Sequence, residues 1–215
     1  MGREFIDTFE RWADHYDRSV HGESPEYREV FRDYDLILDE VAKQAEGTVL
    51  EFGVGTGNLS AKLLNSGLTV FGVEPSEKMR SKAHDKLPDL KLYDGDFLDF
   101  PETDQPVDTI VSSYAFHHLT DEEKGAAITK YNRLLPVHGK IVFADTLFEN
   151  DVAKRQLWRW ASVHGFANLL KDLQTEYYSL VPDLDRMLRY RHFVPHFRQL
   201  NKFVWLIIAE KTEEL

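Results

Sequence analysis

Apolar residues recur at helical spacing through the first 45 positions and form two stripes. Phe5, Phe9, Trp12, Ala13 and Tyr16 make the first, and Tyr27, Phe31, Tyr34, Leu38 and Val41 the second. Ser24-Pro25 supplies a cap and a first-turn proline for the second stripe, so two helices are expected there. From residue 48 the texture changes to short apolar runs alternating with helical stretches. Thr48–Phe52, Thr69–Val73, Leu90–Tyr93, Thr109–Ser112 and Lys140–Ala144 read as strands. Helices fall between them at Asn58–Asn65, at Ser76 to about Leu87, and after the capping box Thr120-x-x-Glu123. Apolar runs separated by helices imply a parallel sheet covered on both faces. The alternation lapses after Asp145 into an aromatic helical segment. It returns as His192–Leu200 and Phe203–Ala209, whose two-residue separation at Asn201-Lys202 allows only an antiparallel hairpin.

The expected architecture is therefore α/β, a seven-stranded and mostly parallel sheet with an antiparallel C-terminal hairpin strand. Residues 1–215 read as one domain. Residues 1–45 form an N-terminal helical cap, 46–146 a core, 147–191 a helical lid or substrate region inserted before strand six, and 192–215 the hairpin. Trp158 and Trp160 lie two apart on one helix, so at least one is expected to be exposed.

Charge and composition narrow the setting. The 215 residues carry 37 acidic against 26 basic side chains, a net charge of −11, which argues against nucleic acid or an anionic membrane as partner. Cysteine is absent, which removes disulfides, thiolate metal sites and a cysteine nucleophile. The longest apolar run, Phe203–Ala209, is far short of the roughly 20 residues that cross a bilayer. Arg3, Glu4, Asp7 and Glu10 interrupt the start of the chain, so no signal-peptide core is expected, and Ile6 stands where a Met-Gly start would need Ser or Thr for myristoylation. A cytoplasmic protein, monomeric or homodimeric, is the resulting expectation.

The chemistry concentrates after the strands. Gly53, Gly55 and Gly57 stand between the first strand and a helix, where a backbone without side chains can turn sharply and approach a ligand. The dinucleotide fingerprint would need glycine at Asn58, and Glu51 precedes the turn by two residues. Glu74 ends the second strand, placed to accept both hydroxyls of a ribose. Asp96 follows the third, placed to accept from a purine amine, with Phe97 available to cover the ring. The bland readings are a tight turn, a helix-flanking acid and an Asp-Gly turn. Taken together, the three elements describe an adenosine pocket at the carboxyl ends of adjacent strands.

These residues resemble the class I S-adenosylmethionine-dependent methyltransferases, whose fold is Rossmann-like. Val49–Gly53, Ser112–Glu123 and Ile141–Thr146 are similar to the YrrT-like members of that group. That similarity runs to about Asn150, weakens, and returns near Phe203-Val204-Trp205. The resemblance implies S-adenosyl-L-methionine as cofactor, S-adenosyl-L-homocysteine as product, and Gly53, Glu74 and Asp96 as binding residues. It leaves substrate choice, in residues 151–200, open.

Methyl transfer needs alignment above all, and for some acceptors a base. Ser112 or Ser113 is the expected contact for the methionine portion of the cofactor. His117, His118 and Tyr16 are candidate catalytic groups, each with a structural alternative. His15 and Tyr16 resemble the helix that covers the cofactor in small-molecule methyltransferases. Arg186, Arg189, Arg191, Arg198 and Lys202, with His192 and His196, form an acid-free run that either collects an anion or balances acids elsewhere. Pro195 makes a metal site from His192 and His196 unexpected, and no metal is expected elsewhere. The alternatives are an NAD-dependent oxidoreductase and a non-catalytic S-adenosylmethionine-binding module.

Overall fold

The computed structural model describes residues 5–215, the side chains of residues 7–9 excepted. The expectations for Arg3, Glu4, the Met-Gly start and the side chains of Asp7 and Phe9 therefore lie outside the described residues. Seven strands form one sheet: β1 (Thr48–Phe52), β2 (Thr69–Val73), β3 (Lys91–Tyr93), β4 (Thr109–Ser113), β5 (Lys140–Thr146), β6 (Phe193–Gln199) and β7 (Val204–Lys211). Their spatial order is β3-β2-β1-β4-β5-β7-β6. The first five pair in parallel, and β7 runs antiparallel to both β5 and β6, as the two-strand C-terminal pattern implies.

Alternation along β1 feeds two cores. Leu50 and Phe52 pack with Phe71, Ile110, Tyr131 and Phe143 on one face, while Val49 packs with Ile37, Leu38, Leu63 and Val142 on the other. Nine α-helices cover the sheet among the described residues. The central ones are α3 (Tyr34–Gln44), α4 (Asn58–Asn65), α5 (Glu77–Lys86) and α6 (Asp121–Leu134). Thr120 and Glu123 form the capping box expected for α6. Its other end is closed from the sheet: Lys211, fully buried on β7, donates to the carbonyls of Asn132 and Leu135.

Glu51 shares the second face, and its side chain points away from the glycine turn. It accepts from Ser60 Oγ on α4, and burial pushes its carboxyl up to about 8 despite that bond. The folded chain therefore holds a proton that an unfolded carboxyl, near 4.5, gives up. Stability should fall as pH rises through that window, by about 1.4 kcal/mol for each unit of raised pKa. The midpoint of thermal unfolding is expected to drop between pH 5 and 8, and Glu51→Gln should flatten the slope. An unchanged slope in that variant would assign the drop to other groups.

The structure departs from the sequence reading in three places. Among the described residues up to 45, three helices form instead of two: α1 (Ile6–Trp12), α2 (Tyr16–Val20) and α3. Ser24-Pro25 opens a run of turns, and Asp33 adopts a left-handed φ of 61° just before α3. That run is drawn instead toward α8 (Ala167–Thr175), where Glu26 accepts the amides of Asn168 and Leu169 and Tyr27 donates to Asp172.

The second departure concerns the tryptophans of α7 (Asp151–Val163), both of which are partly buried. Trp158 donates to the Leu173 carbonyl on α8, and Trp160 packs edge-on to Phe166 and Phe203 beneath Lys202. The helix is covered on two sides, so two faces are available to them. Third, the β6–β7 connection is wider than Asn201-Lys202, spanning residues 200–203. Asn201 braces it by accepting the Phe203 and Val204 amides. The basic run follows the second of its two readings, balancing acids elsewhere. Arg186 and Arg189 pair with Asp183 and Asp185 on their own helix, α9 (Val181–Arg189). Arg191 donates to Thr129 and the Met187 carbonyl, and Arg198 pairs with Glu40.

Candidate active site

The parallel strands end together, and their loops build a cleft lined by Gly53, Gly55, Glu74, Asp96, Phe97 and Ser113, with Tyr16, Tyr114 and His118 at one end. At Gly53 the backbone is left-handed (φ 68°), and a Cβ there would sit 2.7 Å from that of Ala115. Gly55 is also left-handed (φ 57°) and faces open space. Glycine thus avoids a clash at position 53 and backbone strain at position 55, and neither sends a side chain into the cleft.

Glu74 is buried and its two oxygens accept the Gly55 amide at 2.8 Å and the Ser76 amide at 2.9 Å. Burial pushes its carboxyl up to about 7, with the two amides pulling the other way. The acid therefore shapes the glycine turn as well as lining the cleft. Asp96 Oδ1 accepts the Leu98 and Asp99 amides, which fixes the loop after β3. Phe97 stacks on Phe52 and meets Phe116 edge-on, so its ring is held in place from the core side.

Two expected residues do not line the cleft. Gly57 caps α4 with φ 87°, and a Cβ there would meet Leu87 and Ala83 of the α5 region at 3.2 and 3.4 Å. Its role is close helix packing. Ser112 is buried behind the cleft, and its hydroxyl has no hydrogen-bond partner among the described residues.

The N-terminal helices lie across the opening. Glu10 accepts from Ser76 Oγ and the Lys78 amide, and Asp17 accepts from Thr56 and Asn58 beside the glycine turn. Burial pushes the Tyr16 hydroxyl up to about 12, so Tyr16 acts as a neutral wall. His15 is exposed and bonded to Arg18, away from the cleft.

Tyr16, Tyr114 and His118 also line a second, larger cavity of about 510 Å³, so the two spaces meet at these three side chains. Tyr114 takes a left-handed φ of 53°, held by its amide donating to the Ala144 carbonyl and by rings from Phe31 and Tyr34. Strain of this kind in a residue other than glycine costs about 1–2 kcal/mol and marks a position the surroundings over-determine.

The wall of the larger cavity next to His118 carries the charged groups. His117 Nδ1 bonds Asp145 at 2.5 Å, its Nε2 lies 3.4 Å from Glu176, and Tyr178 stacks on the ring at 4.7 Å. Burial works against its charge, but Asp145 and Glu176 outweigh it and raise the pKa. For His118, burial and the neighbouring His117 hold the pKa well below the ordinary value, so the imidazole is neutral. The two adjacent histidines thus differ: His118 reaches both spaces, and His117 only the larger one. His117, His118 and Glu176 also bring ligand-type atoms within 4.8 Å of one another, a grouping that no sequence spacing announced.

Asp145, Asp172, Glu176, Tyr27 and Tyr178 escaped the sequence reading. Asp145 had a readable signal, since it ends a parallel strand like Glu74. Tyr27 and Asp172 are 145 positions apart, and no local motif links them.

Comparison with known proteins decides the family. Residues 49–139 match the methyltransferase domain family. Over 212 residues the chain is 54% identical to the uncharacterized methyltransferase YrrT of Bacillus subtilis (strain 168), covering 98% of this chain and all of that one. A Geobacillus sp. (strain WCH70) methyltransferase is equally similar, with the same coverage. The chain belongs to the class I S-adenosylmethionine-dependent methyltransferases. The fold agrees. Magnesium protoporphyrin IX methyltransferase from Synechocystis PCC 6803, solved with bound SAM, superposes with a TM-score of 0.68 at 17% identity, covering 98% of this chain and 95% of that one. A SAM-dependent methyltransferase from Thermotoga maritima gives 0.68 at 20% identity, covering 95% and 98%. The alignment to YrrT runs through residues 151–200, so this methyltransferase shares its helical insert with its relatives. The NAD-dependent alternative finds no support in these matches.

Proposed function

We propose that this methyltransferase uses S-adenosyl-L-methionine to methylate a small molecule bound in the larger cavity. The observation that carries the reading is the junction: the strand-end cleft and the 510 Å³ cavity share Tyr16, Tyr114 and His118 as a common wall. That volume suits a small organic acceptor.

The residues at the cleft fit the donor. Glycines at 53 and 55 leave room for close approach, Glu74 would accept from ribose hydroxyls, and Asp96 from the adenine amine. Phe97 and Met79 would cover the ring, and Ser113 would face the methionine portion. When bound, S-adenosylmethionine supplies a methyl group on a sulfonium, already a strong electrophile. The chain's own task is orientation, which accounts for roughly 7–11 kcal/mol in well-aligned reactions. Tyr16 and Tyr114 narrow the passage, and the α1–α2 cover, held through Glu10 and Asp17, keeps water from it. Neutral His118 stands where both spaces meet, able to accept a proton or hold an acceptor's hydrogen bond. The acidic, cysteine-free chain suits work in the cytoplasm, and no described helix is long and apolar enough to cross a membrane.

Calorimetric titration with S-adenosylmethionine, S-adenosylhomocysteine and NAD tests the reading. Micromolar binding of the first two, worth about −8 kcal/mol, with no NAD heat is expected. Binding of NAD alone would restore the dehydrogenase. Tight product binding without turnover of any acceptor would favour the non-catalytic module.

A further inference from the structure

We infer that the methyl acceptor is a small cationic amine, gripped through its ammonium group by Asp172 and Glu176 inside the aromatic cavity. The inference rests on the methyltransferase reading above and names its substrate class.

Both carboxylates line the cavity, and each is half satisfied. Asp172 Oδ2 accepts from Tyr27, and Glu176 Oε2 accepts from Tyr178 while facing His117 Nε2. Asp172 Oδ1 and Glu176 Oε1 have no partner among the described residues. A third unused acceptor is on Tyr114. The Tyr114 hydroxyl is buried, carries no hydrogen bond among the described residues, and belongs to the wall shared with the cofactor cleft. An ammonium group offers up to three N–H donors, so these unused acceptors suit it in number and in kind.

The rest of the lining agrees. Trp12, Tyr16, Tyr27, Phe31, Tyr114 and Tyr178 present ring surface, which attracts cations and repels anions. Two of the positive charges near these acids are already engaged: His117 sits between Asp145 and Glu176, and Lys124 is buried against the Tyr177 carbonyl, Ser179 and Asp121. Lys171 reaches the rim and is exposed. A carboxylate substrate would meet two acids and π faces. A neutral apolar one would leave both acids desolvated and unpaired.

The chemistry closes on the same residues. An ammonium nitrogen has no lone pair, so it must first lose one proton. Asp172, whose pKa is raised by burial and by neighbouring Glu176, can take that proton and pass it to water at the rim. The freed lone pair forms the N–C bond as the C–S bond breaks, its electrons staying on sulfur. The positive charge of the sulfonium ends on the methylated nitrogen.

Three ligands of one shape and different charge test this on the whole protein: 2-phenylethylammonium, 2-phenylethanol and phenylacetate, titrated calorimetrically after saturation with S-adenosylhomocysteine. Binding of S-adenosylhomocysteine is measured first, and its failure counts against the methyltransferase reading alone. Given that binding, the ammonium ligand is expected to bind at least tenfold tighter than the alcohol, with phenylacetate weakest. Asp172→Asn and Glu176→Gln should each erase most of that preference while leaving the alcohol and S-adenosylhomocysteine unchanged; circular dichroism confirms folding, and the pair guards against one variant disturbing His117. Equal binding of all three ligands, or a preference for phenylacetate, overturns the assignment. So does stoichiometric binding of Zn²⁺ that is lost in Glu176→Gln while the ammonium preference is absent, because His117, His118 and Glu176 would then be metal ligands.

Discussion

Glu74→Ala is expected to weaken S-adenosylhomocysteine binding by about 2–4 kcal/mol, a loss of some 30- to 1,000-fold. Two contributions add. The ribose loses a carboxylate that would accept charge-assisted bonds, and the Gly55 amide loses the acceptor that holds the glycine turn in shape. The site also carries its own pH signature. Burial sets the Glu74 carboxyl near 7 in the free protein, whereas ribose hydroxyls bind best to the ionised form. Below that value each binding event must first remove a proton, so wild-type affinity should fall by about tenfold per pH unit. Above it the affinity should level off. The Ala variant should bind weakly and without this slope. A folded Glu74→Ala protein that binds as tightly as wild type would remove Glu74 from the cofactor site.

Lys124→Met should produce the second large effect, on the opposite side of the site. Lys124 is 1% exposed, and burial lowers its pKa. Its Nζ donates to the Tyr177 carbonyl and, at 2.9 Å, to Ser179 Oγ. These bonds tie α6 to the loop that carries Glu176 and Tyr178. Methionine fills similar volume but leaves the buried acceptors unsatisfied, at about 1–3 kcal/mol each, so a destabilisation of about 2–5 kcal/mol is expected. The functional result should be selective: acceptor affinity falls with the displaced Glu176 while S-adenosylhomocysteine affinity stays, because Glu74, Asp96 and the glycine turn lie on other loops. Chemical denaturation and calorimetry separate the two. Equal loss of both ligands would mean that Lys124 supports the whole fold and not this wall.

These two predictions differ in how far they were readable beforehand. Glu74 announced itself through local order: a parallel strand, a glycine turn 21 positions upstream, and an acid at the strand's end. Asp96, Phe97 and Ser113 were legible as cleft residues for the same reason, since each sits at or shortly after the end of a strand and strand ends of a parallel sheet converge. Gly57 shared the local pattern, yet its φ and its contacts with Ala83 and Leu87 give it to helix packing. Glu51 matched the motif as well, but period-two alternation along β1 turns it to the opposite face, toward Ser60.

The wall of the larger cavity had no such signature. Tyr27 sits in a run of turns that sequence periodicity assigned to a helix, and Asp172 and Glu176 belong to an insert with no motif. No motif marks Lys124, whose burial comes from its bonds to Tyr177 and Ser179 in the loop after α8. The sequence by itself determined the α/β alternation, the terminal hairpin and the residues that line the strand-end cleft, because strand burial, turn glycines and strand-end acids are encoded within a few residues of one another. Tertiary structure alone decided which aromatic and acidic side chains line the larger cavity, because it is made by contacts between segments as much as 145 positions apart. Such contacts depend on packing and leave no period or spacing along the chain.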